Sequence, residues 1–288
     1  MNLQFAKMHG LGNDFMVLDL ISQPYQPKPE QIQAWSDRHT GIGFDQLLIV
    51  APPENPDVDF RYRIFNADGT EAEQCGNGAR CVAKLVADKG LCVRPSIRFQ
   101  TSNGLIETHL LGNDQVEVDM GPPGLTPGAI PCDPAKAESE DSIGDARRFT
   151  LADDAGEQHQ LTVASMGNPH GVILVDDIAS ARVDEIGARL TDHPFFPERA
   201  NIGFCQAVDR GFIRLRVFER GVGETRACGT GACAAAVTSR MAGLVDEKVK
   251  VSLPGGKVRI RWQGPEHAVK MTGPATLVYE GQIAVEDA

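Results

Sequence analysis

The chain has 288 residues, 42% hydrophobic and only 6% aromatic, an ordinary soluble composition that excludes disordered and collagen-like classes. That length holds one large domain or two of usual size, and no apolar run reaches the roughly eighteen residues that a membrane span needs, so no membrane partner is expected. The net charge of −11 argues against nucleic-acid binding, which requires clustered Lys and Arg against phosphate.

The N-terminus reads MNLQFAKMHGLGNDF, without a basic stretch followed by an apolar one. No secretory signal is expected, and the chain reads as cytoplasmic. Seven cysteines, an odd count, suit reduced thiols better than a disulfide framework. The spacings Cys75-x5-Cys81 and Cys228-x4-Cys233 do not fit the knuckles of structural zinc, so no metal site is expected.

In chain order, Asp59–Phe65 alternates apolar and polar residues and predicts a strand. Ala79–Lys89 carries Val82, Leu85, Val86 and Lys89 at helical spacing and stops at Gly90, which predicts a helix. Gln115–Met120 alternates again, and a domain boundary is expected to follow the turn-rich Asp119-Met120-Gly121-Pro122-Pro123-Gly124. Asp133–His159 holds eight acidic and three basic residues and reads as a solvated loop or hairpin, with a partner-binding segment as the alternative. Gly211–Phe218 and Lys257–Trp262 alternate as strands. Between them Gly231–Ala242 is small and apolar almost all round, the pattern of a buried helix. The expected fold class is α/β (α+β): two halves, each a curved, mostly antiparallel sheet wrapped on one helix.

The sequence repeats itself. Phe65 leads in ten positions to Cys75-Gly76-Asn77-Gly78-Ala79, and Phe218 leads in ten to Cys228-Gly229-Thr230-Gly231-Ala232. Gly12-Asn13 pairs with Gly167-Asn168, and Gly41-Ile42-Gly43-Phe44 with Asn201-Ile202-Gly203-Phe204. Val118–Pro122 resembles Lys270–Pro274. Four matches in the same order indicate a duplicated unit with one Cys-Gly motif per copy.

Cys75 and Cys228 each sit just before a helix, where free backbone N–H groups and the positive end of the dipole favour negative charge. Their thiols are therefore expected to ionise below the ordinary value. The glycines at 76, 78, 229 and 231 leave backbone amides open to an anion, so a carboxylate could be held beside each sulfur. An ordinary helix cap explains one such motif; a duplicated pair points to chemistry. Inversion at a Cα needs two bases on opposite sides of one carbon, and copies folded face to face would supply them. One thiolate takes the α-proton, and the opposite thiol returns a proton to the other face. The amides stabilise the developing negative charge. An electron-sink cofactor is the other route to an α-carbanion. Nothing in the residues demands pyridoxal phosphate, although a Schiff-base lysine stays open at this level.

Further motifs are KMHGLGNDF (Lys7–Phe15), RHTGIGFDQLL (Arg38–Leu48), FNADGTEAEQCGNGARC (Phe65–Cys81), SMGNPHG (Ser165–Gly171), ANIGF (Ala200–Phe204) and ERGVGETRACGTGACA (Glu219–Ala234). With these blocks the chain resembles the diaminopimelate epimerases over nearly its whole length. The resemblance implies a cofactor-independent isomerase that interconverts LL- and meso-diaminopimelate in the supply of lysine and peptidoglycan precursors. It implies two pseudo-symmetric lobes, 1–121 with a returning 274–288, and 122–273, and a homodimer. It implies Cys75 and Cys228 as the acid/base pair. Asn13, Gln46, Asn66, Asn168 and Asn201 match substrate-contacting amides, and Gly76-Asn77 and Gly229-Thr230 match the backbone cradle for the α-carboxylate. Glu219 and Arg220 match the group that reads the distal end of the substrate. His170 and Glu219 match residues that tune the thiols. Charge complementarity to a distal ammonium and carboxylate supports the Glu219-Arg220 assignment, and amides that both donate and accept suit a zwitterion.

The acidic segment is longer than the family usually carries. Cys81, Cys92, Cys132, Cys205 and Cys233 read as structural or incidental. The other readings are a proline or hydroxyproline racemase, whose substrate has no distal amino acid, and a thiol redox switch closing Cys75 on Cys228. The related phenazine-biosynthesis isomerases lack the cysteine pair, and a non-catalytic binding module does not account for two intact Cys-Gly motifs.

Overall fold

The computed structural model describes residues 1–72 and 75–285. The chain divides into two units, Met1–Asp119 with Thr272–Ala288, and Met120–Met271. The fold is α/β, mostly strands with four α-helices among the described residues. No helix there is long and apolar enough to cross a membrane.

In the first unit β1 (Asn2–Gly10) and β2 (Asn13–Asp19) form an antiparallel hairpin. Helix α1 (Pro29–Ser36) crosses over to β3 (Gln46–Ala51), which lies parallel to β2. Strand β4 (Phe60–Asn66) returns antiparallel to β3, and a two-residue β5 (Glu71–Ala72) folds back on the end of β4. Helix α2 (Gly76–Asp88) follows, then β6 (Ser96–Thr101) parallel to β4, and the meander β7 (Gly104–Gly112) and β8 (Gln115–Asp119).

The second unit opens with the hairpin β9 (Ser139–Ile143) and β10 (Ala146–Ala152) and then repeats the first. Strands β11 (Gln158–Ser165) and β12 (Pro169–Leu174) are antiparallel, and α3 (Val183–Thr191) crosses to β13 (Asn201–Asp209), parallel to β12. Strand β14 (Phe212–Glu219) returns, β15 (Gly223–Thr225) folds back on it, and α4 (Gly229–Met241) follows. Strand β16 (Lys248–Leu253) runs parallel to β14, and β17 (Gly256–Arg261) pairs with β16. Strand β18 (Lys270–Pro274) then leads into β19 (Thr276–Ala284), which pairs with β1 and so returns to the first unit. The same order of strands and helices, with parallel pairings at the same two places, establishes the duplication.

Both repeated helices are largely buried, as α2 shows from Gly76 to Ala83 and α4 from Gly231 to Ser239. Helix α4 is apolar almost all round and needs cover on nearly every side, whereas α2 keeps Lys84 and Asp88 towards solvent at its C-terminal end. A second apolar layer seats the crossover helix: Ile32 and Trp35 of α1 pack with Leu3, Met16, Leu18, Leu47 and Ile49 in the first unit. In the second, Val183, Ile186 and Leu190 of α3 pack with Phe149, Phe195, Phe196 and Phe204.

One of the four repeat matches fails at the level of structure. Strand β3 pairs Gln46 with Phe15, and β13 pairs Asn201 with His170. The counterpart of Asn201 is therefore Gln46; Gly41–Phe44 lie before β3, in the loop whose amides bond back to Trp35 and Ser36. The acidic segment is the expected hairpin but is only partly solvated. Asp153 and His159 are buried and bonded to each other at 3.0 Å, and Arg189 donates to Asp153 at 3.1 Å.

Candidate active site

Each cysteine is the N-cap of its helix. Cys75 has extended backbone angles (φ −145°, ψ 102°), and its Sγ accepts from the amide of Gly78 at 3.3 Å. Cys228 is likewise extended (φ −108°, ψ 109°), and its Sγ accepts from the amide of Gly231 at 3.3 Å. Sulfur here takes the place that a Ser or Asp oxygen usually fills, satisfying one of the free N–H groups of the first turn. The third residue along is a closely packed glycine in both. A Cβ on Gly78 would lie 2.3 Å from the Tyr62 hydroxyl, and one on Gly231 would lie 3.0 Å from Val217 Cγ2 and 3.2 Å from the sulfur of Cys228 itself.

Two of the predicted amides, Asn13 and Asn77, meet at Cys75. The thiol donates to Asn13 Oδ1 at 3.8 Å, and Asn77 Nδ2 donates to the same oxygen at 3.3 Å. Asn13 Nδ2 donates to Asp45 Oδ2 at 2.9 Å. A carboxylate can only accept, so this bond fixes the amide with its oxygen towards the sulfur. Arg38 bridges Asp45 and Asp14 at 2.7 Å each, and Lys7 also bonds Asp14. These cations hold the Asp14 carboxyl well below the usual carboxylate range, against the opposing pull of burial. Gln46 and Asn66 face each other across β3 and β4, with Gln46 Nε2 donating to Asn66 Oδ1 at 3.1 Å. Asn66 also heads the tight turn to Thr70.

Around Cys228 the pattern recurs with different residues. Thr230 Oγ1 lies 3.5 Å from the sulfur, and Asn168 Nδ2 donates to that hydroxyl at 3.5 Å. His170 Nε2 bonds Asn168 Oδ1 at 3.0 Å. Burial, with Arg220 nearby, pushes the imidazole down to about 3, so it is neutral and offers no positive charge to a thiolate. Its observable role is to orient Asn168. Asn201 Oδ1 accepts from the Arg220 amide at 2.9 Å, and Arg220 Nη1 donates to the Glu198 carbonyl at 2.8 Å.

The expectation that a helix terminus lowers both thiols does not hold at Cys228. Only 3% of this residue is exposed. Burial and then the Glu219 carboxylate push the thiol well above its ordinary range; the Thr230 hydroxyl and Gly231 amide pull the other way without prevailing. The protonated form of Cys228 is therefore favoured. Cys81 and Cys205 are fully buried, and burial raises their thiols to about 12 and about 11, which suits inert structural residues.

Arg80 was not singled out by the sequence, although it sits inside the CGNGARC motif. It is fully buried and donates to Asn77 Oδ1 at 2.8 Å, to the Pro274 carbonyl at 3.2 Å and to the Gly76 carbonyl at 3.5 Å. It thereby holds both residues that follow Cys75. The available signal was an arginine between the small Ala79 and the apolar Cys81-Val82-Ala83 of the helix.

The chain aligns over 99% of its length with a hydroxyproline epimerase from Agrobacterium vitis (TM-score 0.68, 17% identity, 93% of that chain). It aligns equally with a PhzF-family phenazine biosynthesis protein from Bacillus anthracis (TM-score 0.71, 15% identity, 100% of that chain). These likenesses define an epimerase and PhzF-like fold class. Residues 5–126 and 162–278 match the sequence profile of the family described as diaminopimelate epimerase. The chain is 56% identical over 283 residues to diaminopimelate epimerase of Stutzerimonas stutzeri strain A1501, spanning 98% of this chain and 99% of that protein. The figures are the same for the enzyme of Pseudomonas aeruginosa strain PAO1. The chain belongs to the diaminopimelate epimerase family and is an isomerase. The profile passes over 127–161, which contains the β9–β10 hairpin and none of the site residues.

Proposed function

We propose that the protein interconverts LL- and meso-diaminopimelate, without a cofactor, using Cys75 and Cys228 as its acid/base pair. The observation that carries this reading is the repeated sulfur cap: two thiols in the same backbone setting, at equivalent helices of a duplicated unit. One sulfur, as thiolate, removes the α-proton. The carbanion's charge spreads into the α-carboxylate, to which the amides of Gly76-Asn77 and Gly229-Thr230 are suited donors. The other sulfur, as thiol, delivers its proton to the opposite face. Burial and Glu219 favour the protonated form of Cys228, the form in which it acts as donor; the reverse reaction exchanges the roles. Asn13, Gln46, Asn66, Asn168 and Asn201 hold the zwitterion. Glu219 and Arg220 read the distal ammonium and carboxylate, the guanidinium being exposed and anchored through one nitrogen to Glu198.

The test is incubation with LL-diaminopimelate in deuterated water without added cofactor. Deuterium is expected at Cα as meso product forms, with none entering L-proline under the same conditions. Exchange into proline and not into diaminopimelate overturns the substrate assignment in favour of the racemase reading.

We further infer a cytoplasmic homodimer. All seven cysteines are free, which suits a reducing compartment. Leu277, Val278 and Tyr279 are exposed side by side on β19, an apolar stretch of the kind that partners cover. Sedimentation should give twice the chain mass of 31.0 kDa; a single species at that mass excludes the dimer.

A further inference from the structure

The repeat extends to an ion pair in each copy, between a glutamate inside a recognised motif and an arginine just before it. In the first unit Arg63 Nε and Nη2 donate to the two carboxylate oxygens of Glu71, both at 2.9 Å. In the second, Arg216 Nε and Nη2 donate to the two oxygens of Glu224, both at 2.7 Å. The register makes the pairs equivalent, since Phe65 pairs with Glu71 across β4 and β5, and Phe218 with Glu224 across β14 and β15. Each glutamate stands four residues before a cysteine.

The strands concerned are two and three residues long, so backbone pairing alone holds them weakly. A bidentate guanidinium fork fixes both position and direction, which a single hydrogen bond does not. In the second unit Arg216 Nη1 also donates to the carbonyls of Ile178 and Ala181, at 3.3 and 3.1 Å, so the fork is itself held. The residue after Glu224, Thr225, donates its hydroxyl to Glu219 Oε1. Glu219 is the carboxylate that acts on Cys228. In the first unit the register puts Ala72 where Thr225 stands, and Asn66 is the counterpart of Glu219. The copies have thus diverged at the two positions that set the charge beside the sulfur, while the ion pair is the same in both.

We infer that Arg216, Glu224 and Thr225 are positioning residues for Cys228 and its neighbour Glu219, and that Arg63 and Glu71 form the matching clamp for Cys75. The inference rests on the reading of the two cysteines as the acid/base pair. Each fork fixes the short strand from which the chain runs to the sulfur. In the second unit that strand also aims the Glu219 carboxylate.

The test measures kcat and KM for LL-diaminopimelate, and thermal unfolding, on the same samples of Glu71→Gln, Glu224→Gln, Thr225→Val and Thr225→Ser. Displacing a catalytic group by about 1 Å costs on the order of 100-fold, so Glu71→Gln and Glu224→Gln should lower kcat by roughly 10- to 100-fold. For Glu71→Gln KM should stay within about threefold, because the proposed substrate contacts remain, whereas Glu224→Gln, which also releases Glu219, should raise KM as well. Thr225→Val should lower kcat roughly 10-fold, and Thr225→Ser, which keeps the hydroxyl, should restore most of it. The Thr225 variants leave both ion pairs intact, so they decide the matter if a glutamate variant unfolds at the assay temperature. Folded Glu224→Gln and Thr225→Val proteins with wild-type kcat overturn the inference. Cys75→Ser and Cys228→Ser are run alongside. Inactive cysteine variants beside fully active clamp variants defeat this inference alone, whereas active cysteine variants defeat the acid/base reading as well.

Discussion

Replacing Cys75 or Cys228 by serine should lower kcat for epimerisation by at least about 1,000-fold, the upper part of the range for losing a positioned acid or base. Serine is the informative choice. Its hydroxyl can take over the cap that each sulfur makes to Gly78 or Gly231, so the helix start is preserved. Alanine would add a capping loss of about 1 kcal/mol to the chemical one. A hydroxyl does not ionise in the accessible pH range, so the variant is a folded protein with one base removed. Such a variant keeps one thiol, which can still remove the proton on its own side and return one to that same side. In deuterated water the remaining sulfur should therefore exchange the α-proton of one isomer without inverting it. Inversion at the wild-type rate in either serine variant would rule out the two-base mechanism.

Arg80→Leu should destabilise the protein by about 3 kcal/mol and remove most activity. The guanidinium is fully buried and fans out to Asn77 Oδ1 and to the carbonyls of Gly76 and Pro274. Leucine fills part of the volume but leaves those acceptors buried without that donor, at about 1–3 kcal/mol each where nothing replaces it. Asn77 would also lose its orientation towards Asn13, and with it the oxygen placement beside Cys75. Space for this side chain is built in: a Cβ on Gly10 would lie 3.0 Å from Arg80 Nη2. Urea unfolding of the variant measures the effect; a midpoint within experimental error of the wild type would show that the fan carries no stability.

Much of this architecture was readable from the residues, and the failures have physical causes. The alternating strands were found because one face of each is buried, as in β4, where Phe60, Tyr62 and Ile64 point inward. Both cysteine-capped helices were found, but their starts at Gly76 and Gly229 precede the expected 79 and 231. Glycine is a poor helix former, so two glycines in the first turn disguise the terminus that the sulfur actually caps. Helix α1 was missed because only Ile32 and Trp35 are buried, too few to make a periodic stripe, although Pro29 and Glu30 in its first turn are fair start signals. The clamp was recoverable, since both copies read R-x-F-x5-E, but only when aligned on the phenylalanine with the register in view. The raised thiol of Cys228 and the neutral His170 were not recoverable, because both follow from burial, which a sequence motif does not report.

The sulfur caps tie proton transfer to the backbone. A thiolate is a better acceptor than a thiol, so each proton gained or lost at Cys75 or Cys228 changes the strength of the bond that closes the first turn of its helix. The amides of Gly78 and Gly231 are therefore built-in reporters. Their proton resonances should move in opposite senses as the charge passes from one sulfur to the other, so that turnover can be followed from two glycines that never touch the reacting carbon.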